Sequence, residues 1–539
     1  MRISRVVIEN FRAVKRLEFE PGTLCTLIGE NNSGKSTIMR ALNLVLGEAW
    51  PTERSFSEDD FYDRDTTNPI VIQVYFDSKL THTARNGATA QVSGFELRCK
   101  CYKRRTGDKL AGDLGIDFVC IGPRGGQVDD PTVRYRPGGP PLPPLRVSGT
   151  LREQVPLLYV DVMREYSKQD PSSRWSVLRR LVQQVQLEFR NDKSAVAVTL
   201  SDGTSKKMTR AEAFDHYMVL ANESLRTQAL EELEQELATH ALEQMGLDPS
   251  TDGVALRFGS HDPINAFKSL ELLVDQLGIT SSASHVGAGL QSAIVVAIFR
   301  TYEALKKGGA IFAIEEPEAF LHPQKARYFA EVLEKIADGD NQVFLTTHSP
   351  YFVKLHKPES IASVRRTASS GTLVKQANLG VIAPTMRDVL KLQTKLTASR
   401  SEMLFARRVL LIEGETEALA MPFVFDLLGV DPNNLGISVV DCGSKTAIPF
   451  YANILKAFDI PFVVLADFDS TSPIQVRQTE ALRACTPASD LFLMNPDFEG
   501  ECGYAAGDKV LGAFNHFTST PSPAVPKAIA DAVSRLVTM

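Results

Sequence analysis

The sequence lacks any apolar run as long as a membrane span, which requires about 20 predominantly apolar residues. It has only seven cysteines in 539 residues, and they are scattered without the spacing of a metal-ligand set. Its first residues already predict a strand, so no signal-peptide pattern is visible. We therefore expect no membrane partner, free thiols in a reducing compartment and a cytoplasmic location.

An excess of charge of one sign is also missing, because 59 basic residues stand against 65 acidic ones and the formal net charge is −6. This value argues mildly against a nucleic-acid partner. Seven carboxylates, however, fall in three short stretches, and without them the remainder would carry +1: Glu413, Glu415, Glu417, Asp467, Asp469, Glu499 and Glu501. Metal ions bound to these acids would reverse the local sign, so the overall charge decides nothing about nucleic acid.

One stretch, residues 29–37, fits the nucleotide-binding pattern G-x-x-x-x-G-K-[ST] without a mismatch. The apolar residues before it predict a strand, and residues 37–46 predict a helix. A strand, a glycine loop and a helix N-terminus form an anion site, in which Lys35 reaches the outer phosphates and Ser36 is placed to ligate Mg²⁺. We expect the following residues to bind ATP: Asn31, Asn32, Ser33, Gly34, Lys35, Ser36 and Thr37.

The opening pattern I-x-N-F-R, followed by G-E-N-N-S-G-K-S, resembles the ATPase heads of the SMC and recombination-repair branch of the ABC class. In that branch, ATP-driven dimerisation of heads is coupled to work on DNA. The resemblance implies that Gln73, in a predicted strand over residues 70–77, is the Q-loop glutamine that senses Mg²⁺ and the γ-phosphate. A solvated strand glutamine is the alternative.

The same resemblance extends to a signature loop at residues 281–291, which precedes a predicted helix. Gly287, Ala288, Gly289 and Gln291 stand there in place of the familiar S-G-G-Q. In the ABC class this loop is presented to the γ-phosphate of the partner subunit. The resemblance therefore implies at least a homodimer, in which two heads enclose two ATP molecules.

A Walker B motif and an H-loop complete the resemblance to an ABC-type head. The apolar run 310–314 predicts a central parallel strand that ends in two acids. Glu315 would hold Mg²⁺ and Glu316 would polarise the attacking water, although Glu315 stands where the family usually has Asp. His348 follows a predicted strand over residues 343–345 and matches the histidine that contacts the γ-phosphate.

A second group of acids follows two apolar strands late in the chain. Glu413 comes directly after the strand 409–412, with Glu417 in the first turn of the next helix. Asp467 and Asp469 follow the strand 462–466 and point to one side of an extended chain. Carboxylates at the ends of two parallel strands form a hard-oxygen site for Mg²⁺ or Mn²⁺.

This E-G and D-x-D constellation resembles the Toprim domain of topoisomerases, primases and related nucleases. A phosphate-loop ATPase followed by a Toprim domain is the layout of the OLD (overcoming lysogenization defect) family, which the chain resembles over nearly its whole length. The resemblance implies Mg²⁺ at the ATPase site, two Mg²⁺ or Mn²⁺ ions at the Toprim site, cleavage of phosphodiester backbones and a role in phage defence. It also implies a proton-transfer role for Glu413.

A late acidic motif supplies two further expectations from the same resemblance. Glu499 is the favoured additional metal ligand, with Glu501 as the alternative. Lys527, just before a terminal helix, matches a family lysine that stabilises charge on the cleaved phosphate. A solvated surface lysine is the other interpretation of Lys527.

We therefore predict an α/β chain with an ABC-type P-loop ATPase head, a helical dimerisation insertion and a Rossmann-like Toprim domain. The predicted boundaries are 1–162 for the first half of the ATPase, 163–252 for the helical insertion, 253–380 for the second half, and 381–539 for the Toprim nuclease domain with a helical linker.

The resulting hypothesis is an ATP-powered, divalent-metal-dependent DNA endonuclease that nicks DNA or makes double-strand breaks. The first alternative is an SMC-type DNA clamp or tether that does not cleave. The second keeps Toprim chemistry for reversible strand passage or primer synthesis. It ranks last because no separate domain carries a tyrosine nucleophile and no template-handling module is apparent.

Overall fold

The structure is a computed structural model that describes residues 1–105, 108–133, 140–162, 170–171, 176–200, 203–245, 267, 269–305, 309–377, 379–382, 398–468, 473–504, 507–520 and 523–539. Its strands are β1 (Ile3–Phe11), β2 (Val14–Phe19), β3 (Leu24–Ile28), β4 (Ile70–Thr83), β5 (Thr89–Cys101), β6 (Leu114–Ile121), β7 (Leu157–Val160), β8 (Ala195–Thr199), β9 (Ser205–Thr209), β10 (Leu273–Gln276), β11 (Ile279–Ser282), β12 (Ile311–Glu315), β13 (Gln342–Thr346), β14 (Ile361–Thr367), β15 (Gly371–Gln376), β16 (Arg408–Ile412), β17 (Ile437–Asp441), β18 (Phe462–Asp467) and β19 (Leu491–Met494).

The helices are α1 (Lys35–Leu46), α2 (Gly149–Glu153), α3 (Val177–Asn191), α4 (Arg210–Leu225), α5 (Gln228–Met245), α6 (Ala288–Leu305), α7 (Pro323–Asp338), α8 (Leu379–Ile382), α9 (Ala398–Ser401), α10 (Glu415–Leu427), α11 (Pro432–Leu435), α12 (Ile448–Ala457), α13 (Pro473–Cys485), α14 (Phe498–Cys502), α15 (Lys509–Ser519) and α16 (Lys527–Thr538). Among the helices described, none combines the length and the apolar character needed to cross a bilayer.

The chain divides into two compact units, one made of Met1–Met163 with Lys307–Met539 and the other of Arg164–Lys306. The second unit is longer than the predicted helical insertion 163–252. The predicted domain boundaries stay predictions.

Eleven of the described strands of the first unit form one sheet, in the order β6-β5-β4-β1-β2-β15-β14-β3-β13-β12-β7. The segment from β14 to β7 is parallel, and the strands from β6 to β15 pair antiparallel. The sequence explains the parallel centre, because β3 and β13 are buried at every position and β12 is buried until its last residue. Strands covered on both faces need such continuous apolar runs.

A buried glutamine fixes the start of β13 against two earlier segments of the chain. The Gln342 side chain accepts a hydrogen bond from the Ile3 N–H at 2.7 Å and donates to the Ile3 and Gly22 carbonyls at 2.9 Å each. Every polar group of the amide therefore has a partner. Such a buried side chain joins distant strands without an unpaired donor or acceptor.

A second sheet of the first unit has four strands in the order β17-β16-β18-β19, and every pairing in it is parallel. Residues alternate between two cores along β16, with Val409 and Leu411 on one face and Leu410 and Ile412 on the other. Helices α12 and α13 cover the first face, while α10, α15 and α16 cover the second. The parallel arrangement predicted for the acid-bearing strands is therefore present.

The second unit is built from α3, α4, α5 and α6 with the hairpins β8-β9 and β10-β11. Two helical patterns of the sequence, over residues 173–187 and 210–245, have different boundaries in the structure. The first helix begins at Val177, where the Ser176 hydroxyl caps it by accepting from the Arg179 N–H at 2.9 Å. The second pattern is divided into α4 and α5, a break that the sequence did not predict because the leucine period continues across it.

We predict that Gln342→Leu lowers the free energy of unfolding of the first unit by about 3 kcal/mol, since it removes the partner of the Ile3 N–H and carbonyl, which are buried, and of the part-buried Gly22 carbonyl. Urea denaturation followed by fluorescence measures the change. Gln376→Leu is the control, because the half-buried Gln376 side chain donates to Glu20 O at 3.1 Å near the surface, and should change stability by less than about 0.5 kcal/mol. Equal losses in the two variants would contradict the role assigned to Gln342.

Candidate active sites

The phosphate loop is shaped by two glycines and clamped by the hairpin β14-β15. Gly29 and Gly34 have φ angles of 143° and 112°, which other residues rarely adopt. A Cβ on Gly34 would lie 2.4 Å from Oγ1 of Thr372. That hydroxyl lies 2.8 Å from the carbonyl oxygen of Ser33 and 3.0 Å from that of Ala13. Thr372 is thus a loop-shaping residue that the sequence motifs did not indicate.

Lys35 stands buried at the start of α1, where it lines a cavity of about 700 Å³. Its Nζ donates to the carbonyl oxygens of Gly29 at 2.7 Å and Glu30 at 2.8 Å. Burial lowers the pKa of Lys35 to about 8, against the opposing effect of nearby carboxylates, of which Glu316 is the largest. The ammonium is therefore desolvated, which strengthens its attraction for a phosphate.

The predicted Mg²⁺ ligands of the ATPase come together at the end of β12. The Ser36 hydroxyl hydrogen-bonds to Glu315, and the Tyr159 hydroxyl donates to Glu315 Oε1. Burial raises the pKa of Glu315, and the hydrogen bonds from Tyr159 and Ser36 oppose that rise. A serine hydroxyl beside a carboxylate is a donor set of the kind that Mg²⁺ takes next to phosphates.

The predicted catalytic residues Glu316 and His348 line the same cavity as Lys35. Glu316 has a φ of 44°, and its N–H donates to Thr346 O at 2.9 Å. Glu318 orders the histidine turn, because its Oε1 accepts from the His348 N–H at 2.7 Å and from the Thr347 hydroxyl at 2.8 Å. Burial lowers the pKa of His348, and the charge of Lys35 lowers it further.

Of the other residues predicted to bind ATP in the phosphate loop, most line this cavity and Ser33 does not. Asn31, Asn32, Gly34 and Thr37 line the cavity with Lys35. The Ser33 hydroxyl is buried without a hydrogen-bond partner among the residues described.

Gln73 has neighbours outside the phosphate loop. Its Nε2 donates to Glu96 Oε2 at 2.6 Å, and its Oε1 accepts from the Tyr75 hydroxyl at 2.8 Å. These contacts hold Gln73 on the antiparallel part of the sheet, so its role as a sensor stays a prediction.

The predicted signature residues belong to the second compact unit. Gly287 precedes α6 and Gly289 lies in its first turn, since the helix begins at Ala288 and not at 292. Gln291 stabilises the preceding turn by donating to the carbonyl oxygens of Ser284 and Val286, at 3.0 and 2.9 Å. The contribution of this loop to a partner's ATP site stays a prediction.

The nuclease-side acids are held by backbone N–H groups at the carboxyl ends of β16 and β18. Glu413 Oε1 accepts from the Asp467 N–H at 2.8 Å, and Asp467 Oδ1 accepts from the Phe498 N–H at 3.0 Å. Glu417, only 5% exposed, accepts from the Gly414 N–H at 3.2 Å. Burial raises the pKa of Glu417 to about 7, and the charges of Glu413 and Glu499 raise it too.

The late motif places Glu499 with these acids, since its charge acts on Glu417. Glu501 is turned instead to its own loop, where Oε1 accepts from the Asn495 N–H at 3.0 Å. Lys509 Nζ lies 3.0 Å from Glu499 Oε2, whereas Lys527 is exposed at the first residue of α16. Sequence reasoning missed Lys509, because no motif marks it.

Lys445 is a second lysine that sequence reasoning left without a role. It is buried in the turn before α12, and its Nζ donates to the Asp467 carbonyl oxygen. This contact fixes the carbonyl group of Asp467 at the end of β18. Lys445 and Lys509 therefore place two positive charges beside the acids.

Glu413, Glu417, Asp467 and Glu499 are of the chemical type that binds a divalent metal, because their hard oxygen atoms are the ligands that Mg²⁺ and Mn²⁺ prefer. As the side chains stand, no three His, Cys, Asp or Glu residues in the described part of the chain form a group that could hold a metal, and Asp469 lies outside the described residues. The metal-ligand roles of these five acids therefore stay predictions.

Comparison with protein families supports two modules. Residues 404–469 match the family described as "Overcoming lysogenization defect protein-like, TOPRIM domain", and residues 1–245 and 222–353 match "AAA ATPase domain". These matches, with the two α/β sheets of the first unit, confirm the predicted fold class. The predicted pair of enzymatic modules, an ATPase and a Toprim nuclease domain, is confirmed as well.

Several proteins are similar over much of their length. The chain is 33% identical to "OLD nuclease" of Thermus scotoductus, over 94% of this chain and 93% of that protein. It is 23% identical to "Old nuclease" of Escherichia phage P2, over 89% and 80% of the two chains. A solved C-terminal region of the Burkholderia pseudomallei OLD protein is 17% identical with a TM-score of 0.22, covering 24% of this chain and 97% of that one.

We predict that Thr372→Val weakens MgATP binding about fivefold, since it removes the hydroxyl that holds the Ser33 carbonyl while conserving side-chain volume. Titration calorimetry measures the affinity. Thr367→Val, in the exposed turn of the same hairpin, is the control and should bind MgATP as the wild type does. An unchanged affinity in Thr372→Val would show that the hairpin does not shape the phosphate loop.

Proposed function

The chain belongs to the OLD nuclease family, and on that premise we propose that it is an ATP-powered, divalent-metal-dependent DNA endonuclease that acts as at least a homodimer. The observation that carries the proposal is the contact between Glu413, at the end of β16, and Asp467, at the end of the adjacent parallel strand β18, with Glu417 on α10 and Glu499 on α14 near enough for their charges to interact. Acids whose charges raise the pKa of a buried neighbour are typical of functional sites. A cytoplasmic location and a role in phage defence belong to the same proposal.

The nuclease chemistry follows from the charges of these residues. Glu413, Glu417, Asp467 and Asp469, with Glu499, would hold two Mg²⁺ or Mn²⁺ ions. Such a pair, when bound, supplies an activated water and neutralises the leaving oxygen. Lys509 stands beside Glu499 and is placed to stabilise negative charge that develops on the phosphate. Lys445 holds the backbone of Asp467 and so fixes the turn that presents the acids.

The ATPase chemistry uses the residues around the phosphate loop. Lys35 and the loop N–H groups bind the phosphates, while Ser36 and Glu315 are placed to hold Mg²⁺. Glu316 polarises the attacking water and His348 contacts the γ-phosphate. Gly287 and Gly289 of a partner subunit would complete the site, which is why hydrolysis requires a dimer.

We predict that Glu413→Ala lowers cleavage of supercoiled plasmid in Mg²⁺ or Mn²⁺ by at least about a hundredfold. Mutation of a residue that only hydrogen-bonds to a metal ligand typically lowers activity by about 10- to 100-fold, and removal of a ligand itself should cost more. Lys35→Ala should lose ATP hydrolysis and leave the nuclease acids intact. Gel electrophoresis and phosphate release measure the two activities.

Glu415→Ala is the matched control for Glu413→Ala, since Glu415 is an exposed acid two residues further on, at the first residue of α10. It should cleave plasmid at the wild-type rate. Plasmid that stays intact with wild-type protein, Mn²⁺ and ATP would contradict the proposal and favour a DNA clamp that does not cleave.

We further predict that Lys509→Ala lowers the cleavage rate about a hundredfold, as expected when one group that stabilises the developing charge is removed. Lys527→Ala serves as the comparison and should stay close to wild type, because Lys527 is exposed at the start of α16. Rates under single-turnover conditions decide between them. The reverse result would return the phosphate-stabilising role to Lys527.

A further inference from the structure

The phosphate loop of the ATPase and the first strand of the nuclease sheet are joined by an ion pair. Glu30 follows Gly29 in the loop, and its Oε2 lies 2.9 Å from Nε of Arg407. Arg407 immediately precedes β16, the strand after which Glu413 stands. One salt bridge therefore connects the ATP-binding loop to the strand that positions a nuclease carboxylate.

A shared hydrophobic core runs beside this ion pair. Ile28, the last residue of β3, is buried in the same apolar cluster as Val409 and Leu411 of β16. A cavity of about 530 Å³ is lined by residues 29–33 of the phosphate loop, 363–368 and 404–406. Close-packed interiors transmit displacement, so movement of the loop reaches β16 through packing as well as through charge.

Glu30 is also tied to the phosphate-binding lysine. Lys35 donates to the Glu30 carbonyl oxygen at 2.8 Å and to that of Gly29 at 2.7 Å. The phosphates of a nucleotide compete with these carbonyls for the same ammonium, which has three donors. Nucleotide binding therefore changes the hydrogen bonding of the Glu30 backbone carbonyl, and the side chain of the same residue binds Arg407.

We propose that Arg407 is a positioning residue through which the nucleotide state of the phosphate loop sets the position of β16 and of Glu413. The inference rests on the proposed nuclease function and adds the route by which ATP controls it. The coupling of binding affinities is reciprocal. If ATP changes the affinity of the nuclease site for its ligand, that ligand changes the affinity for ATP by the same factor. The Arg407 and Glu30 side chains are 57% and 44% exposed, so the ion pair is expected to change the coupling only about two- to fivefold.

The first test measures plasmid cleavage in Mn²⁺ with and without ATP, and takes the ratio of the two rates as the nucleotide response. Arg407→Gln removes the charge and should reduce this response about two- to fivefold, with cleavage in the absence of ATP near the wild-type rate. Arg408→Gln is the matched control, because Arg408 Nη1 donates to Val537 O at 3.0 Å and not to the loop. It should keep the full response.

Glu30→Gln and the double variant complete a double-mutant cycle. If the ion pair carries the coupling, the double variant loses no more of the response than Arg407→Gln alone, because the partners act together. The inference is overturned if Arg407→Gln keeps the wild-type response, or if Arg408→Gln loses as much.

Amide hydrogen exchange distinguishes failure of this inference from failure of the proposed function. Exchange at residues 404–412 is followed with and without ATPγS, a measurement that needs no cleavage. A nucleotide-dependent change that is smaller in Arg407→Gln supports the coupling even if plasmid stays intact. Identical exchange with and without nucleotide in the wild type overturns it even if plasmid is cut.

Discussion

Charged side chains buried at the carboxyl ends of parallel strands are the constraint on which both catalytic centres depend. Burial disfavours an isolated charge, so each buried group requires a partner. Lys35 has the carbonyls of its own loop, Glu417 has the Gly414 N–H, and Glu499 has Lys509. Parallel strands provide this geometry because their carboxyl ends meet at one edge of a sheet. The same edge of the sheet therefore brings charged side chains together and supplies the backbone groups and side chains that stabilise their charges.

The ATPase is assembled from two distant segments of the chain, and buried polar side chains join them. Gln342 binds Ile3 and Gly22, and Thr372 binds Ser33 and Ala13, so the later segment holds the earlier one in register. The residues between these segments include the whole second unit. An insertion of that size is compatible with the sheet because the strands it separates, β7 and β12, still pair directly with each other.

Sequence patterns predicted the strands and the helix that carry the candidate site residues, because these elements depend on residues that are close together in the sequence. The strand β3, the glycine loop and α1 come from a contiguous motif, and the apolar runs before Glu315, Glu413 and Asp467 predicted strands that the structure contains. Partners across the fold could not be predicted in this way. Thr372 reaches the loop from a hairpin more than 300 residues away, and Lys509 meets Glu499 from the next helix, α15. The metal-ligand role of Asp469 stays a prediction.

Net charge decides nothing about nucleic acid because charges of both signs are distributed unevenly over the first unit. The cavity at the phosphate loop is lined by four basic and three acidic side chains, whereas acids dominate the nuclease centre: Arg12, Lys35, Arg64, Arg366, Asp59, Asp63 and Glu316 line the cavity. A whole-chain value of −6 averages the two. At the nuclease centre, Lys445 and Lys509 already offset part of the negative charge, and divalent cations would offset the rest. The charge that a phosphodiester backbone meets is therefore set by the lysines and cations of that centre, and the formal charge of the chain bears little relation to it.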